Sequence, residues 1–141
     1  MRLFSHDTKV EALGRCSLFE GLSKKELGEL ARVTEDLEVA PGKVLCKEGG
    51  AASEFFVIVE GEVEVTKGGR RIAALGSGEF FGEIALIEHT TRTATVTAAT
   101  PLRFFVLTSR GFWSLIEHSP GVERKVLRAL AKRLAPSDPT L

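Results

Sequence analysis

Residues 80–98, FFGEIALIEHTTRTATVTA, decide how this chain is read. The stretch has two halves. The first is Phe80-Phe81-Gly82-Glu83 followed by the apolar run Ile84-Ala85-Leu86-Ile87, and the second is a β-branched run, Thr90–Thr97, interrupted by Arg92. A glycine ahead of a short helical turn leaves backbone N–H groups pointing outward, and the helix dipole makes that end attractive to an anion. Arg92 adds a fixed positive charge with a planar fork of donors suited to phosphate. Glu83 lies between them and can accept from hydroxyl groups. Phosphate donors and a sugar acceptor this close in sequence suggest a nucleotide site.

Duller explanations exist for each residue. Gly82 can be one more turn glycine. Glu83 can simply favour a helix N-terminus, an effect of only about 0.3–1 kcal/mol. Arg92 can be a surface strand residue, but alternation places it with Ala94, Val96 and Ala98, while Thr93, Thr95 and Thr97 share the other face. The small apolar face reads as the inside. A buried charge without a partner costs about 3–5 kcal/mol, so an inward Arg92 needs an anion or a carboxylate. Glu83 is the alternative partner within the chain. Ala85 and Ala94 are small where larger residues would fill a core, which leaves room beside the charge.

Outward from this stretch, short β-prone segments are punctuated by glycine. Leu37 and Val39 alternate with Asp36 and Glu38, and Pro41-Gly42 breaks the run. Val44–Cys46 is a short strand and Phe55–Val59 a stronger one. Val63 and Val65 alternate with charged neighbours, and Gly68-Gly69 marks a hairpin. Ile72–Leu75 and Leu102–Leu107 complete the pattern. Helices flank it. A weak one is expected near Asp7–Arg15, and one at Lys24–Val33 opens on the capping box Ser23-Lys24-Lys25-Glu26. After the strands, Thr108 or Ser109 caps a helix with an apolar face of Phe112, Leu115 and Ile116. Ser119-Pro120 then opens a last helix whose stripe is Val122, Val126, Leu127, Leu130, Ala131 and Leu134. About eight short strands between helices predict an α+β, mainly β, fold built on an antiparallel barrel or sandwich.

The bulk numbers agree with one domain. The chain has 141 residues, 43% hydrophobic and 27% charged. Lys plus Arg and Asp plus Glu are both 19, a balance that argues against direct nucleic-acid binding, which rests on basic surface. No apolar run approaches the roughly 20 residues of a membrane span. The N-terminus carries charges where a signal peptide has its apolar core. Cys16 and Cys46 have no metal-ligand spacing and read as free thiols in a reducing cytoplasm. His6, His89 and His118 are scattered and read as solvated side chains.

The residues also resemble a known family. Phe81-Gly82-Glu83-Ile84-Ala85-Leu86-Ile87 followed by Arg92-Thr93-Ala94-Thr95-Val96 closely resembles the phosphate-binding cassette of cyclic nucleotide-binding domains. A lone Phe-Gly-Glu would be weak; the combined pattern is specific. The helix–barrel–helix order, the Lys47-Glu48-Gly49 turn and the Val59-Glu60-Gly61-Glu62-Val63 turn are similar to the family too. The resemblance implies that Glu83 accepts from the ribose 2′-hydroxyl and Arg92 pairs with the cyclic phosphate. The N–H groups of Ala85 and Leu86 would hold the same phosphate, Gly82 would permit close approach, and Thr93 would add a hydroxyl. Ile84 and Ala94 complete the expected ligand-binding set. Strict alternation points Thr93 away from Arg92, so the strand must begin irregularly there. Cyclic AMP is the expected ligand. Cyclic GMP stays open, because in the family a threonine after the arginine suits both.

On this resemblance, residues 1–135 form a single domain: a helical segment at 1–33, an eight-stranded antiparallel jelly-roll barrel at 34–108 with its cassette at 80–95, and two C-terminal lid helices at 109–135. Residues 136–141 are a tail. The last helix is expected to close over the base, hinged near Arg110–Ser119, with Leu127 or Arg128 at the ligand. The expected activity is binding without catalysis, since no catalytic constellation or metal cluster appears, and no cofactor is expected. The resemblance leaves open the protein effector, a homodimer, and whether the chain stands free or belongs to a longer one; nothing after Leu134 reads as a helix-turn-helix. Two rivals are a barrel that keeps only an interaction role and a cupin-like metal-dependent enzyme.

Overall fold

A capping box opens the second helix. The Ser23 hydroxyl accepts from the Glu26 N–H at 3.1 Å, and the Glu26 carboxylate accepts from the Ser23 N–H at 2.9 Å. These bonds hold the Glu26 carboxyl below its ordinary pKa. The computed structural model describes residues 5–135; the tail at 136–141 and the His6 side chain lie outside the described residues.

The chain runs α1 (His6–Gly14), a 3-10 turn (Ser17–Phe19), α2 (Lys24–Arg32), β1 (Glu35–Val39), β2 (Val44–Cys46), β3 (Glu54–Glu60), β4 (Val63–Lys67), β5 (Arg70–Leu75), β6 (Phe80–Phe81), α3 (Glu83–Glu88), β7 (Thr95–Ala98), β8 (Leu102–Thr108), α4 (Ser109–His118) and α5 (Pro120–Leu134). Among the described residues, the eight strands form two four-stranded antiparallel sheets. Their orders, β1-β8-β3-β6 and β2-β7-β4-β5, interleave the chain between the sheets as a jelly roll does.

The first sheet is covered on both faces, which explains the continuous apolar run of β3. Phe56, Ile58, Phe104 and Val106 point into the core between the sheets. Phe55, Val57, Phe105 and Leu107 point the other way, into a core closed by Leu13, Phe19, Phe112, Val122 and Val126 of the helical segments. Phe55 packs on Phe112 with ring centroids 4.8 Å apart. The same geometry accounts for β1. Leu37 and Val39 pack toward the inter-sheet core, as their alternation predicts, yet Asp36 on the opposite face is also buried, beneath the helices.

Local predictions hold where local chemistry governs. Gly68 and Gly69, both at positive φ, turn the β4–β5 hairpin. Thr108 caps α4 by accepting from the Gly111 N–H at 3.1 Å. Ser119 occupies the N-cap position of α5, but its hydroxyl makes no capping bond; the site is buried, and only its carbonyl accepts, from the Glu123 N–H. The expected strand at 90–97 is shorter: β7 begins at Thr95, and residues 90–94 form an irregular loop. The irregularity foreseen at Thr93 therefore extends over the whole first half of the run.

Candidate functional site

The cassette joins the two sheets. β6 pairs with β3 in the first sheet, and β7 pairs with β2 and β4 in the second. Between them lie α3 and the 89–94 loop. Gly82 sits at the N-cap of α3 with φ +99°, in the left-handed region. An added Cβ there would approach the Arg92 Nη1 and the Glu54 carbonyl at 3.0 Å each. Glycine is thus required both for the turn and for the space.

Arg92 is 7% exposed; it is buried as expected, but from the 90–94 loop and not from a strand face. Its Nη1 donates to the Gly82 carbonyl at 3.0 Å and its Nη2 to the Glu54 carbonyl at 2.7 Å. The guanidinium lies 5.7 Å from the centroid of the Phe56 ring. Its backbone is pinned as well: Arg92 N–H donates to the Gly50 carbonyl at 2.9 Å, and Gly49 N–H donates to the Arg92 carbonyl at 2.8 Å. Two carbonyls use two of its five N–H groups and leave the others for a ligand.

Glu83 is fully buried. Its partner is not Arg92. Arg133, from the last turn of α5, donates through Nη1 to both carboxylate oxygens, at 2.6 and 2.5 Å. The alternative in which Glu83 neutralises Arg92 is therefore corrected by the geometry: the two buried charges are held by different groups.

Arg92 and Glu83 line one cavity of about 360 Å³, together with Gly82, Ile84, Ala85, Thr93 and Ala94. The far wall comes from the second sheet, with Val65, Ile72, Ala73 and Leu75. The charged lining consists of Lys67, Arg92 and Arg133 against Glu83 alone, a balance that favours an anion. Of the expected cassette residues, Leu86 differs. Its side chain is buried in the helical core, and its N–H, the fourth in α3, makes the first helical bond to the Gly82 carbonyl, so the expected phosphate contact is left to the N–H groups before it.

The expected lid residues do not reach the cavity. Leu127 is 53% exposed, Arg128 is exposed, and neither lines the cavity; Arg133 and Leu134 do. The reason is helical phase. Val122 and Val126 anchor the first half of α5 in the core, and Arg133 lies seven residues beyond Val126 on the same face, whereas Leu127 is rotated off it. Sequence spacing gives no sign of this role for Arg133, because its partner Glu83 is 50 residues away.

Cys46 also lines the cavity, 5% exposed. Burial pushes its thiol, and that of Cys16, up to about 11. Both are free. Iodoacetamide at pH 7.5 is expected to label neither in the folded protein and both in urea, as read by mass spectrometry. An unfolded thiol ionises near 9.0 while these hold their protons to about 11, so folding stability is expected to fall as the pH rises through that interval. Among the described residues no group of three or more His, Cys, Asp or Glu is placed to hold a metal ion, and no helix is long and apolar enough to cross a membrane.

Fold and cavity together define a small binding domain: a double-sheet roll with a largely apolar pocket whose few charged residues are mostly cationic. The chain belongs to the cyclic nucleotide-binding domain family, whose model matches residues 36–119. It is 37% identical over 116 residues to a cyclic nucleotide-gated potassium channel of Rhizobium etli, covering 82% of this chain and 32% of the channel. It is 37% identical over 114 residues to a cAMP-dependent protein kinase regulatory subunit of Mycosarcoma maydis, covering 74% of this chain and 22% of that one. The structure of a mutant cAMP-binding acyltransferase from Mycobacterium smegmatis superposes with a TM-score of 0.76 at 31% identity, over 92% of this chain and 41% of that chain. The chain spans less than a third of the length of these two sequence relatives.

Proposed function

We propose that this domain binds a cyclic nucleotide, cyclic AMP foremost, and passes its occupancy to a protein effector through α5. One observation carries the proposal: a buried guanidinium and a buried carboxylate line a single cavity of about 360 Å³, in the chain positions the family uses. Arg92 pairs with the cyclic phosphate. The N–H groups at the start of α3 up to that of Ala85 have no acceptor within the helix and complete the phosphate cradle, whereas the Leu86 N–H, fourth in the helix, is taken by the Gly82 carbonyl. Glu83 accepts from the 2′-hydroxyl, and Thr93 contributes its hydroxyl to the phosphate or the purine. The base lies along the apolar wall of the second sheet. Two of the relatives compared carry cAMP in their names, which supports cyclic AMP; Thr93 keeps cyclic GMP as a second candidate.

The mode of action is binding without catalysis. The first half of α5 is anchored in the core and its last turn touches the cavity, so ligand contacts there shift the population of α5 positions relative to α4. Calorimetric titration with cyclic AMP and cyclic GMP tests the proposal. Binding is expected for at least one, and ligand at about 100 times its dissociation constant should stabilise the fold by about 2.7 kcal/mol in thermal unfolding. No heat and no thermal shift with either nucleotide would overturn it in favour of a roll that serves only as an interaction module.

A further inference from the structure

Three cations on α5 are left without a partner. Arg124, Arg128 and Lys132 follow one another at four-residue steps along the exposed side of the helix. None of them forms an ion pair or a side-chain hydrogen bond with any described residue. The helix itself offers them nothing, because no residue three or four places from any of them is acidic. Like charges at this spacing weaken a helix rather than support it. The other two cations of α5 are engaged: Lys125 donates to the Ser17 and Glu20 carbonyls, and Arg133 to Glu83. Beside the charged row runs an apolar one. Leu127, 53% exposed, and the exposed Ala131 are continued by Leu134 at the edge of the cavity. They stand at the spacing of a coiled-coil seam, whereas the core face of the same helix is already filled by Val122 and Val126.

Resting on the reading of α5 as the output helix, we propose that this outer face docks an acidic amphipathic helix of a partner protein. The apolar side of that helix lies on Leu127 and Ala131, and its carboxylates meet Arg124, Arg128 and Lys132. Charge complementarity selects this occupant. A second copy of the chain fits poorly: in the register of the seam, a parallel pair sets Arg124 against its own copy, and an antiparallel pair sets Arg128 against its own. A nucleic acid would use the cations and leave the leucine in water, and a chain with 19 basic and 19 acidic residues offers it little more. A membrane surface calls for a broad apolar face, and this seam is a single row of two leucines and an alanine. A partner helix of matched width buries the row and answers all three charges, through anchors that recur at three and four residues.

The test uses the full chain and two labelled synthetic helical peptides with the same leucine seam, one flanked by glutamates and one by lysines, read by fluorescence anisotropy. The wild type is expected to bind the acidic peptide and not the basic one, with affinity falling about tenfold as salt rises from about 50 to 300 mM. The triple variant Arg124→Glu, Arg128→Glu, Lys132→Glu should bind the acidic peptide at least about tenfold more weakly and take the basic peptide instead, a swap that unfolding cannot produce. Leu127→Ala should weaken the acidic peptide at every salt concentration. All four positions are exposed, and thermal unfolding checks that the variants fold. Equal binding of the two peptides by the wild type, or binding of neither, overturns the inference. So does displacement of the acidic peptide by phosphatidylserine vesicles, which assigns the face to a membrane, or a dimer in sedimentation that the triple variant dissociates, which assigns it to a second copy. The titration needs no nucleotide, so its failure leaves the proposed ligand standing; a wild type that takes the acidic peptide and binds neither cyclic nucleotide overturns only the ligand.

Discussion

Arg92→Ala is expected to weaken cyclic-nucleotide binding by between about 30-fold and several thousand-fold, the 2–5 kcal/mol associated with removing one member of a buried charged pair. The expectation follows from how the guanidinium is held. Its anchors, the Gly82 and Glu54 carbonyls, belong to the α3 N-cap and to β3, so its position is set before any ligand arrives, and little ordering cost falls on binding. The same anchoring predicts a second effect. Alanine leaves both carbonyls without these donors, and each such loss costs about 1–3 kcal/mol unless water replaces it. Arg92→Lys separates the two effects. Lysine restores charge but is a point donor that cannot reach both carbonyls and a phosphate together. It should recover only part of the affinity. Titration calorimetry reads affinity and chemical denaturation reads stability. Unchanged nucleotide affinity in the alanine variant would remove Arg92 from the site.

Gly61→Ala is expected to cost the fold several kcal/mol. Gly61 has φ +99°, which charges an L-residue about 1–2 kcal/mol for the backbone alone. An added Cβ would also fall on the Pro101 carbonyl oxygen, with the Thr100 Oγ1 at 2.9 Å and the Leu102 Cα at 3.2 Å. Overpacking of this kind adds about 1–3 kcal/mol. The site matters because two chain crossings meet there. The β3–β4 turn leaves the first sheet for the second, and the β7–β8 turn returns. They are clipped together by Glu62 N–H to Thr100 Oγ1 and Ala99 N–H to the Glu62 carbonyl, both at 2.9 Å. A clash at Gly61 therefore pries the sheets apart at that end. Gly76→Ala is the control. Its nearest contacts would be at 3.9 and 4.0 Å and its φ is not positive, so it should change stability little. Equal urea midpoints for the two variants would contradict the assignment.

Features that sequence made legible are those whose cause lies within a few residues. The capping box at Ser23 and Glu26, the Gly68-Gly69 hairpin, the Thr108 cap and the left-handed Gly82 ahead of α3 are local bonds or local φ preferences. The small apolar neighbours of Arg92 point to its burial, although strand alternation is not the cause, since β7 begins only at Thr95. The Gly82-Glu83 and Arg92-Thr93-Ala94 pairings of the cassette were readable because 10 residues separate Arg92 from Gly82.

What alternation could not give was the loop at 90–94, where the Arg92 backbone bonds to Gly49 and Gly50 replace regular pairing. Nor could it show that β1 is covered on both faces, which depends on helices elsewhere in the chain. Which residues of α5 line the cavity was out of reach for a related reason. A 3.6-residue stripe names the apolar residues of α5 but not which of its turns lies over the cavity.

The chain by itself determined the roll, the cassette and its two charged residues, since periodicity, turn chemistry and one compact motif are enough for those. Only the tertiary structure decided that Glu83 answers to Arg133 and Arg92 to the Glu54 and Gly82 carbonyls. A buried charge takes whichever partner the packed helices and strands bring within about 3 Å, and in this fold the partner of Glu83 stands 50 residues away.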